Sequence, residues 1–410
     1  MVLKVIFDIA QIVLFLAGIY YFGLAIFSLK TPQKVVQDGK MNTFALIVAA
    51  HNEESVIGEL VKSLKELDYP KDKFKIFVVA DNCTDKTAEE AQKNGALVWK
   101  RFDETARGKG YAMEFAFEKL FKLEEKYEYI SIFDADNLVN SDFLLRMNSK
   151  INEGYSAVQG YLDSKNPSGN WLTFAYSMWY WLNNRMSQLA RENLKLGCRL
   201  GGTGFAVRTE LIQKYGWGAT CLAEDTEFTL KLALNDIKVG WAHDAVVYDE
   251  KPELLGTSMN QRKRWSQGLS EVAVRYVKPL FKKGICEKSV QAFHMLMNFW
   301  GDSVYPMTMM LFGAIYIMTF FVDKDSIFYL LICSFWASPV RMILLSAFVW
   351  GNLALMILAL YSDGKLDKNI MKNTPGFLIY IITWIPIGIM GFLKRNEKEW
   401  FHTPHSGKNS

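Results

Sequence analysis

The chain has 410 residues, enough for two or three structural units, and a net charge of +4, too small to suggest nucleic acid as a partner. Its cysteines, Cys83, Cys198, Cys221, Cys286 and Cys333, show no CxxC spacing, which argues against a zinc module and gives no disulfide framework. Half of the residues are hydrophobic, and they are unevenly spread: the middle reads as globular sequence, while the N-terminus and last third contain long apolar runs.

The first run, residues 5–29, can span a bilayer, which needs about 20 apolar residues. It is longer than the apolar region of a cleaved leader, and its small-x-small cleavage pattern is poor. Lys30, Lys34 and Lys40 follow, so the positive-inside rule puts the next segment in the cytosol.

From Thr43 the pattern alternates. TFALIVAA reads as a strand, EESVIGELVKSLKEL as an amphipathic helix, FKIFVVA as a second strand and AEEAQKNG as a helix that Thr84 or Asp85 would cap. ALVWK is a third strand, GYAMEFAFEKLFKL a third helix and YISIF a fourth strand. Strands alternating with helices imply a mostly parallel, Rossmann-like α/β sheet covered on both faces, with ligands at the carboxyl ends of the strands.

Polar groups stand at those ends: His51-Asn52-Glu53, Asp81-Asn82, Arg107-Gly108-Lys109-Gly110, and Asp134 with Asp136. Asx residues after a strand are commonly turn formers, but four such sets at one sheet edge point to a site. Two carboxylates running straight out of an apolar strand need a positive partner, because burying them unpaired is costly. They suit a hard cation, Mg²⁺ or Mn²⁺, that completes its shell with substrate phosphate oxygens. Lys109 would add charge toward a phosphate, and Asp81 and Asn82 would read a base or ribose.

Three more polar islands follow: Gly201-Gly202-Thr203-Gly204-Phe205, Ala223-Glu224-Asp225 before an apolar helix, and Gln261-Arg262-Lys263-Arg264-Trp265. Taken singly, these read as a tight turn, a helix start and a solvated face. The later apolar regions, 291–322, 327–361 and 376–393, suit membrane helices of unsettled number, and Lys394, Arg395 and Lys398 put the tail in the cytosol. The segmentation is therefore 1–40 (membrane helix and linker), 41–255 (cytosolic α/β domain), 256–290 (interfacial helices), 291–393 (membrane helices) and 394–410 (cytosolic tail).

In order, HNEE, ADN, RGKG, DAD, GGTGF, AED and QRKRW resemble the processive, membrane-embedded glycosyltransferases of family 2. That group includes cellulose, chitin, hyaluronan and poly-N-acetylglucosamine synthases. The resemblance covers almost the whole chain and implies a GT-A catalytic domain joined to a helical membrane bundle. It also implies roles at matching positions. His51, Asn52, Glu53 and Asp81 would contact uridine, and Lys109 the diphosphate. Asp134 would hold nucleotide or phosphate, and Asp136 the Mn²⁺ or Mg²⁺. Asp225, beside Glu224, would be the general base. Gln261 and Arg264 would bind the donor, while Trp265, Thr203, Gly204 and Phe205 would line the acceptor. One departure is visible: Ala223 stands where the family has threonine, which removes a hydroxyl contact but not the base.

The implied reaction is one displacement by an acceptor hydroxyl on a UDP-sugar, inverting an α-linked donor into a β-linked product, with glucose read ahead of N-acetylglucosamine. The partners are the UDP-sugar, a growing polysaccharide and the bilayer, and nothing in the sequence requires a partner protein. Transfer of one sugar to a lipid carrier, with Arg262 and Lys263 meeting its phosphate, is the alternative. A non-catalytic nucleotide-sugar-binding membrane protein is the third. Trp171, Tyr176, Trp179, Tyr180 and Trp181 read as interfacial anchors or as sugar-stacking faces. Asn298, Trp300, Asp302, Trp336, Arg341, Trp350 and Asn352 are candidate pore-lining residues. His402 and His405 suit a surface tail better than a metal pair.

Overall fold

A computed structural model describes residues 2–32, 39–218, 221–303, 326, 339–366 and 368–397. Most of the 304–338 stretch, with Trp336, lies outside the described residues, as do Lys34, Lys398, His402 and His405. So does the side chain of Asp302.

The catalytic part is built on one sheet of eight strands: β1 (Phe44–Ala50), β2 (Phe74–Asp81), β3 (Leu97–Arg101), β4 (Tyr129–Asp134), β5 (Leu138–Val139), β6 (Ala157–Ser164), β7 (Phe205–Arg208) and β8 (Val239–Asp249). Their order is β3-β2-β1-β4-β7-β6-β8-β5. The first four are parallel, as the alternation predicts; β7 runs antiparallel to both β4 and β6, and β8 returns parallel to β6.

Successive side chains of a strand point to opposite faces, and here both faces are covered. Ala45 and Ile47 of β1 join one apolar cluster with Phe77, Val79, Ile130 and Ile132. Phe44, Leu46 and Val48 join the other with Ile76, Val78 and Phe133. The N-terminal helix α1 (Val2–Ile26) stands apart from the sheet; the helices that follow in the catalytic part are α2 (Ile57–Lys65), α3 (Thr87–Lys93), α4 (Lys109–Phe121), α5 (Phe143–Asn152), α6 (Trp171–Leu182), α7 (Ala190–Asn193), α8 (Thr209–Tyr215) and α9 (Glu224–Leu234). A π-helical stretch, Asn183–Leu189, joins α6 to α7. The N-cap of α3 is Lys86, not Thr84 or Asp85, although the Asp85 carboxylate just before it accepts from the Thr87 amide at 3.0 Å.

Beyond the sheet lie α10 (Leu255–Phe281), α11 (Val290–Ser303), α12 (Pro339–Ser362) and α13 (Lys368–Leu393). Three described helical stretches are long and apolar enough to cross a membrane: Asp8–Leu29, Pro339–Ser362 and Lys372–Leu393. α1 meets α12 through Phe15 and Phe22, both against Phe348, and meets α11 through Tyr20, whose hydroxyl lies 2.8 Å from His294 Nδ1. In contrast, α13 packs along α6 and α10.

Candidate active site

The carboxyl ends of β1, β2 and β4 form the floor of a cavity of about 1490 Å³. At the end of β1, His51 Nδ1 sits 2.7 Å from the Asp81 carbonyl. Glu53 is buried, and its amide donates to Thr87 Oγ1 at 2.7 Å. Asn52 turns away: in left-handed backbone (φ 54°), it accepts the Thr84 amide at 2.8 Å and does not line the cavity. Its side-chain oxygen is engaged in the turn.

Asp81 lines the cavity from β2 and is paired with Arg101 of β3, whose Nη1 donates to Oδ1 at 2.6 Å. Arg101 also holds Asp103 at 3.1 Å and the Ala106 carbonyl at 2.8 Å. It thereby ties Asp81 to the loop that leads into α4. Sequence reading passed over Arg101, which in one dimension is only the last residue of an apolar strand.

Lys109 opens α4, so its neighbours' free amides and the positive end of the helix face the cavity. Its ammonium pairs with Asp134 and donates to the Gly202 carbonyl at 2.7 Å. Burial pulls its pKa down, but the carboxylates of Asp134, Glu224 and Asp225 outweigh that and hold it above the ordinary lysine value. Gly202 has φ 85°, a left-handed conformation that a side chain would strain, and it carries the loop between the two charged centres.

Asp136 is buried; Oδ1 accepts from Asn137 at 3.2 Å and Oδ2 from the Glu250 amide at 3.1 Å. Thr203 lines the cavity, and its hydroxyl bridges Asn137 and the Asp134 amide, the latter at 3.0 Å. It holds the Asp134–Asp136 turn in shape, a role no local pattern predicts. Among the described residues no group of three or more His, Cys, Asp or Glu is arranged to hold a metal. Asp134 and Asp136, two oxygen donors on one wall, therefore fit a hard cation that takes its remaining ligands from phosphate and water, as Mg²⁺ and Mn²⁺ do in nucleotide sites.

Across the cavity stand Glu224 and Asp225, the first residues of α9. Burial raises both above ordinary carboxylate values; the Asp225 carboxylate raises Glu224 further. Asp225 is opposed by the Thr226 amide, at 2.7 Å from Oδ1, and by the charges of Arg199 and Lys109. Arg199 was not visible as a site residue in the sequence, although it lies two residues before the glycine loop. Gln188 of the π-helical stretch holds its backbone at both ends, donating to its carbonyl at 2.8 Å and accepting its amide at 3.1 Å.

Gln261, Lys263, Arg264 and Trp265 of α10 close the cavity. Gln261 accepts the Tyr176 hydroxyl at 3.1 Å. Arg264 is held below its usual pKa by burial, against the pull of Glu224, Asp134 and Asp225, and its Nε has no protein partner. A buried cation with an unmet donor on the wall facing two carboxylate pairs is suited to an anionic ligand. Arg262 is fully buried, bonded to α13, and absent from the cavity wall, so the structure does not support its expected meeting with a lipid phosphate.

Gly204 and Phe205 also fall outside the cavity wall. Phe205 is fully buried on β7, stacked on Trp217 with ring centroids 6.0 Å apart, and a Cβ on Gly204 would lie 2.4 Å from Val247. Both belong to the sheet's core because β7 starts there, which corrects their expected acceptor contacts. Of the aromatic run, Trp179 and Tyr180 line the cavity, Tyr176 and Trp181 are buried, and Trp171 is more than one-third exposed.

A mixed sheet of this order, with paired acids at the end of β4 and further acids at the start of a helix opposite, defines a GT-A glycosyltransferase, an enzyme that moves a hexosyl group from an activated donor. Residues 42–268 match the family described as "Glycosyltransferase like family 2", and the chain belongs to it. The chain is 24% identical over 375 residues to "Probable glycosyltransferase YdaM" of Bacillus subtilis, covering 88% of this chain and 86% of that protein. It is 29% identical over 266 residues to a beta-monoglucosyldiacylglycerol synthase of Nostoc, covering 61% of this chain and 54% of the relative. It is 26% identical over 247 residues to a poly-beta-1,6-N-acetyl-D-glucosamine synthase of Staphylococcus epidermidis, covering 58% and 57%. The chain thus spans little more than half of the latter two relatives. Among solved structures, a mannosyltransferase of Pyrobaculum calidifontis, in complex with GDP-Man and Mn²⁺, superposes with a TM-score of 0.59 at 20% identity over 97% of this chain and 100% of that one. The likeness is one of fold.

Proposed function

We propose that the protein is a membrane-bound inverting glycosyltransferase that adds hexosyl units from a UDP-sugar, glucose ahead of N-acetylglucosamine, to a growing β-linked polysaccharide. We assign product export to its membrane helices. The observation that carries the reading is the position of Asp225. It lines one cavity with Lys109, Asp134 and Asp136 on one side and Gln261, Arg264 and Trp265 on the other.

The chemistry follows from that wall. The acceptor hydroxyl attacks the anomeric carbon, and the Asp225 carboxylate takes its proton as the new bond forms. The bond from that carbon to the diphosphate oxygen breaks, and the charge developing on the leaving group is met by Lys109 and Arg264. A divalent cation held by Asp136 and Asp134 would supply further neutralisation of the diphosphate when bound. His51, Glu53 and Asp81 are assigned to the nucleoside end. Trp265 is assigned to the terminal acceptor sugar, which it would orient for in-line attack.

Transfer to a single lipid acceptor is the second reading. It is favoured by the aliphatic side chains of Ile381, Ile385 and Ile389 on the same cavity wall. One experiment separates the two readings. Purified protein is incubated with each UDP-sugar and Mn²⁺ or Mg²⁺, and the product is resolved by size, linkage and lipid content. A β-linked polymer supports the first reading, one sugar on a lipid replaces it with the second, and no transfer from any UDP-sugar overturns both.

A further inference from the structure

The turn between α12 and α13 follows directly on an apolar helix, yet it carries two charged side chains that end inside the catalytic part. Asp363 pairs with Arg185 of the π-helical stretch, and their side chains are only 7% and 5% exposed. Among the described residues Asp363 is the one acid that Arg185 pairs with, and the Arg185 Nε has no protein partner. His243 of β8 lies 3.2 Å from the same carboxylate through Nε2. Its Nδ1 accepts the Trp241 indole N–H at 3.1 Å, so the neutral ring carries its hydrogen on Nε2 and donates it to Asp363. Lys365, two residues on, donates to Asp163 of β6 at 2.6 Å. Burial pushes the Asp363 carboxyl up, but His243 and Arg185 outweigh that and hold it below the ordinary aspartate value. The buried pair is therefore ionic.

Arg185 belongs to a wall of the active-site cavity. Its stretch is wound as a π-helix, a rare geometry that recurs at functional sites. Asn183, two residues before it, lines the cavity, and so does Gln188, three residues after it. Gln188 holds Arg199 by both of its backbone groups, at 2.8 Å and 3.1 Å. Arg199 lines the same cavity and is among the charges that act on Asp225. His243 gives a second route, because Trp241, whose indole it accepts, is also on the cavity wall. Asp363 itself is not on that wall.

We infer that Asp363 is a positioning residue for glycosyl transfer: from the turn between two apolar helices it fixes the π-helical stretch, and with it the placement of Arg199 against Asp225. Without the ion pair the stretch loses its outside tie and relaxes toward ordinary helical winding, which turns Gln188 away from the Arg199 backbone. The groups assigned to the diphosphate stand on β4, α4 and α10, so donor binding should survive the change. A carboxylate lost alone would strand the Arg185 charge in the interior, at a cost large enough to threaten folding.

This role presupposes Asp225 as the base, and the test keeps the two apart. The full chain in detergent is compared as wild type, Asp363→Asn, the neutral pair Asp363→Asn with Arg185→Gln, and Asp225→Asn. The double variant strands no charge, so it serves where the single one does not fold. Both Asp363 variants should lose at least about tenfold in kcat, while the KM for UDP-sugar stays within about twofold. Amide hydrogen exchange, followed by mass spectrometry, should quicken over residues 183–199 and stay unchanged in β1, β2 and β4. Exchange quickened across the whole sheet would reduce Asp363 to a structural pin and overturn the positioning role. Normal kcat in the Asp363 variants beside an inactive Asp225→Asn would overturn the positioning role alone. Transfer retained by Asp225→Asn would overturn the base assignment, and the positioning role with it.

Discussion

Replacing Asp225 by asparagine changes almost no volume and removes only the ability to accept a proton. In the native site Oδ1 is committed to the Thr226 amide at 2.7 Å, and Oδ2 faces Gly202, 3.5 Å from where a Cβ on that glycine would be. An asparagine keeps the Thr226 bond by holding its carbonyl oxygen at the Oδ1 position. That puts its NH₂ group where Oδ2 was, and a donor stands where the acceptor hydroxyl needs an acceptor. Loss of a general base lowers the rate by about 10²–10⁴-fold, or about 3–5 kcal/mol of barrier. Asp225→Asn should therefore retain at most about one-hundredth of the wild-type rate of sugar transfer from radiolabelled donor. UDP affinity by calorimetry should be unchanged, because the proposed function assigns that end to Lys109, Asp134 and Asp81. A base at Asp225 would also set the pH dependence. Burial raises the Asp225 pKa, and only the carboxylate accepts a proton, so activity should fall on acidification at a pH above the ordinary aspartate range. Near-normal transfer by Asp225→Asn would remove Asp225 from the role of base, and an equal loss of UDP affinity would move it into the donor site.

Asp136→Ala should lose Mn²⁺ binding by calorimetry and lose turnover; chelation should silence the wild type reversibly, and full activity in EDTA would exclude a required metal. Trp265→Ala should bind UDP normally and make shorter polymer per active enzyme, losing about 1–2 kcal/mol of aromatic contact. Polymer of unchanged length would reduce Trp265 to an anchor. Arg262→Met removes the bond to Thr383 at 2.8 Å and the stack on Tyr380. It should destabilise the α10–α13 packing by about 2–4 kcal/mol, read as a lower Tm in detergent, and an unchanged Tm would refute its part as a pin.

Much of the catalytic fold is written locally. The first four strands are short aliphatic runs between amphipathic helices, so their period and their parallel pairing follow from burying both faces of the sheet. The acids at strand ends were legible for the same reason: an ionised group directly after a buried strand has few physical uses. The first apolar run could likewise be read from length and hydropathy, because each backbone group in hydrocarbon must be satisfied within one helix, whereas the 327–361 run left its helices uncounted and only the structure shows Pro339–Ser362 within it.

Other features depend on partners distant in sequence, and tertiary structure alone decided them. Phe205 and Gly204 read as a ligand loop until β7 paired with β4 and drew both into the core. Thr203 became a brace for the DAD turn only because that pairing brings it to Asn137, 66 residues away. Arg101 and Arg199 acquired meaning from Asp81 and Asp225, and Arg262 turned from a membrane-facing cation into a buried pin through Thr383, 121 residues distant. Composition could say only that residues 372–393 prefer an apolar medium. Whether they pierce it or lie along it rests on what packs beside them, because hydropathy measures the affinity of a helix for lipid and carries no information about its direction.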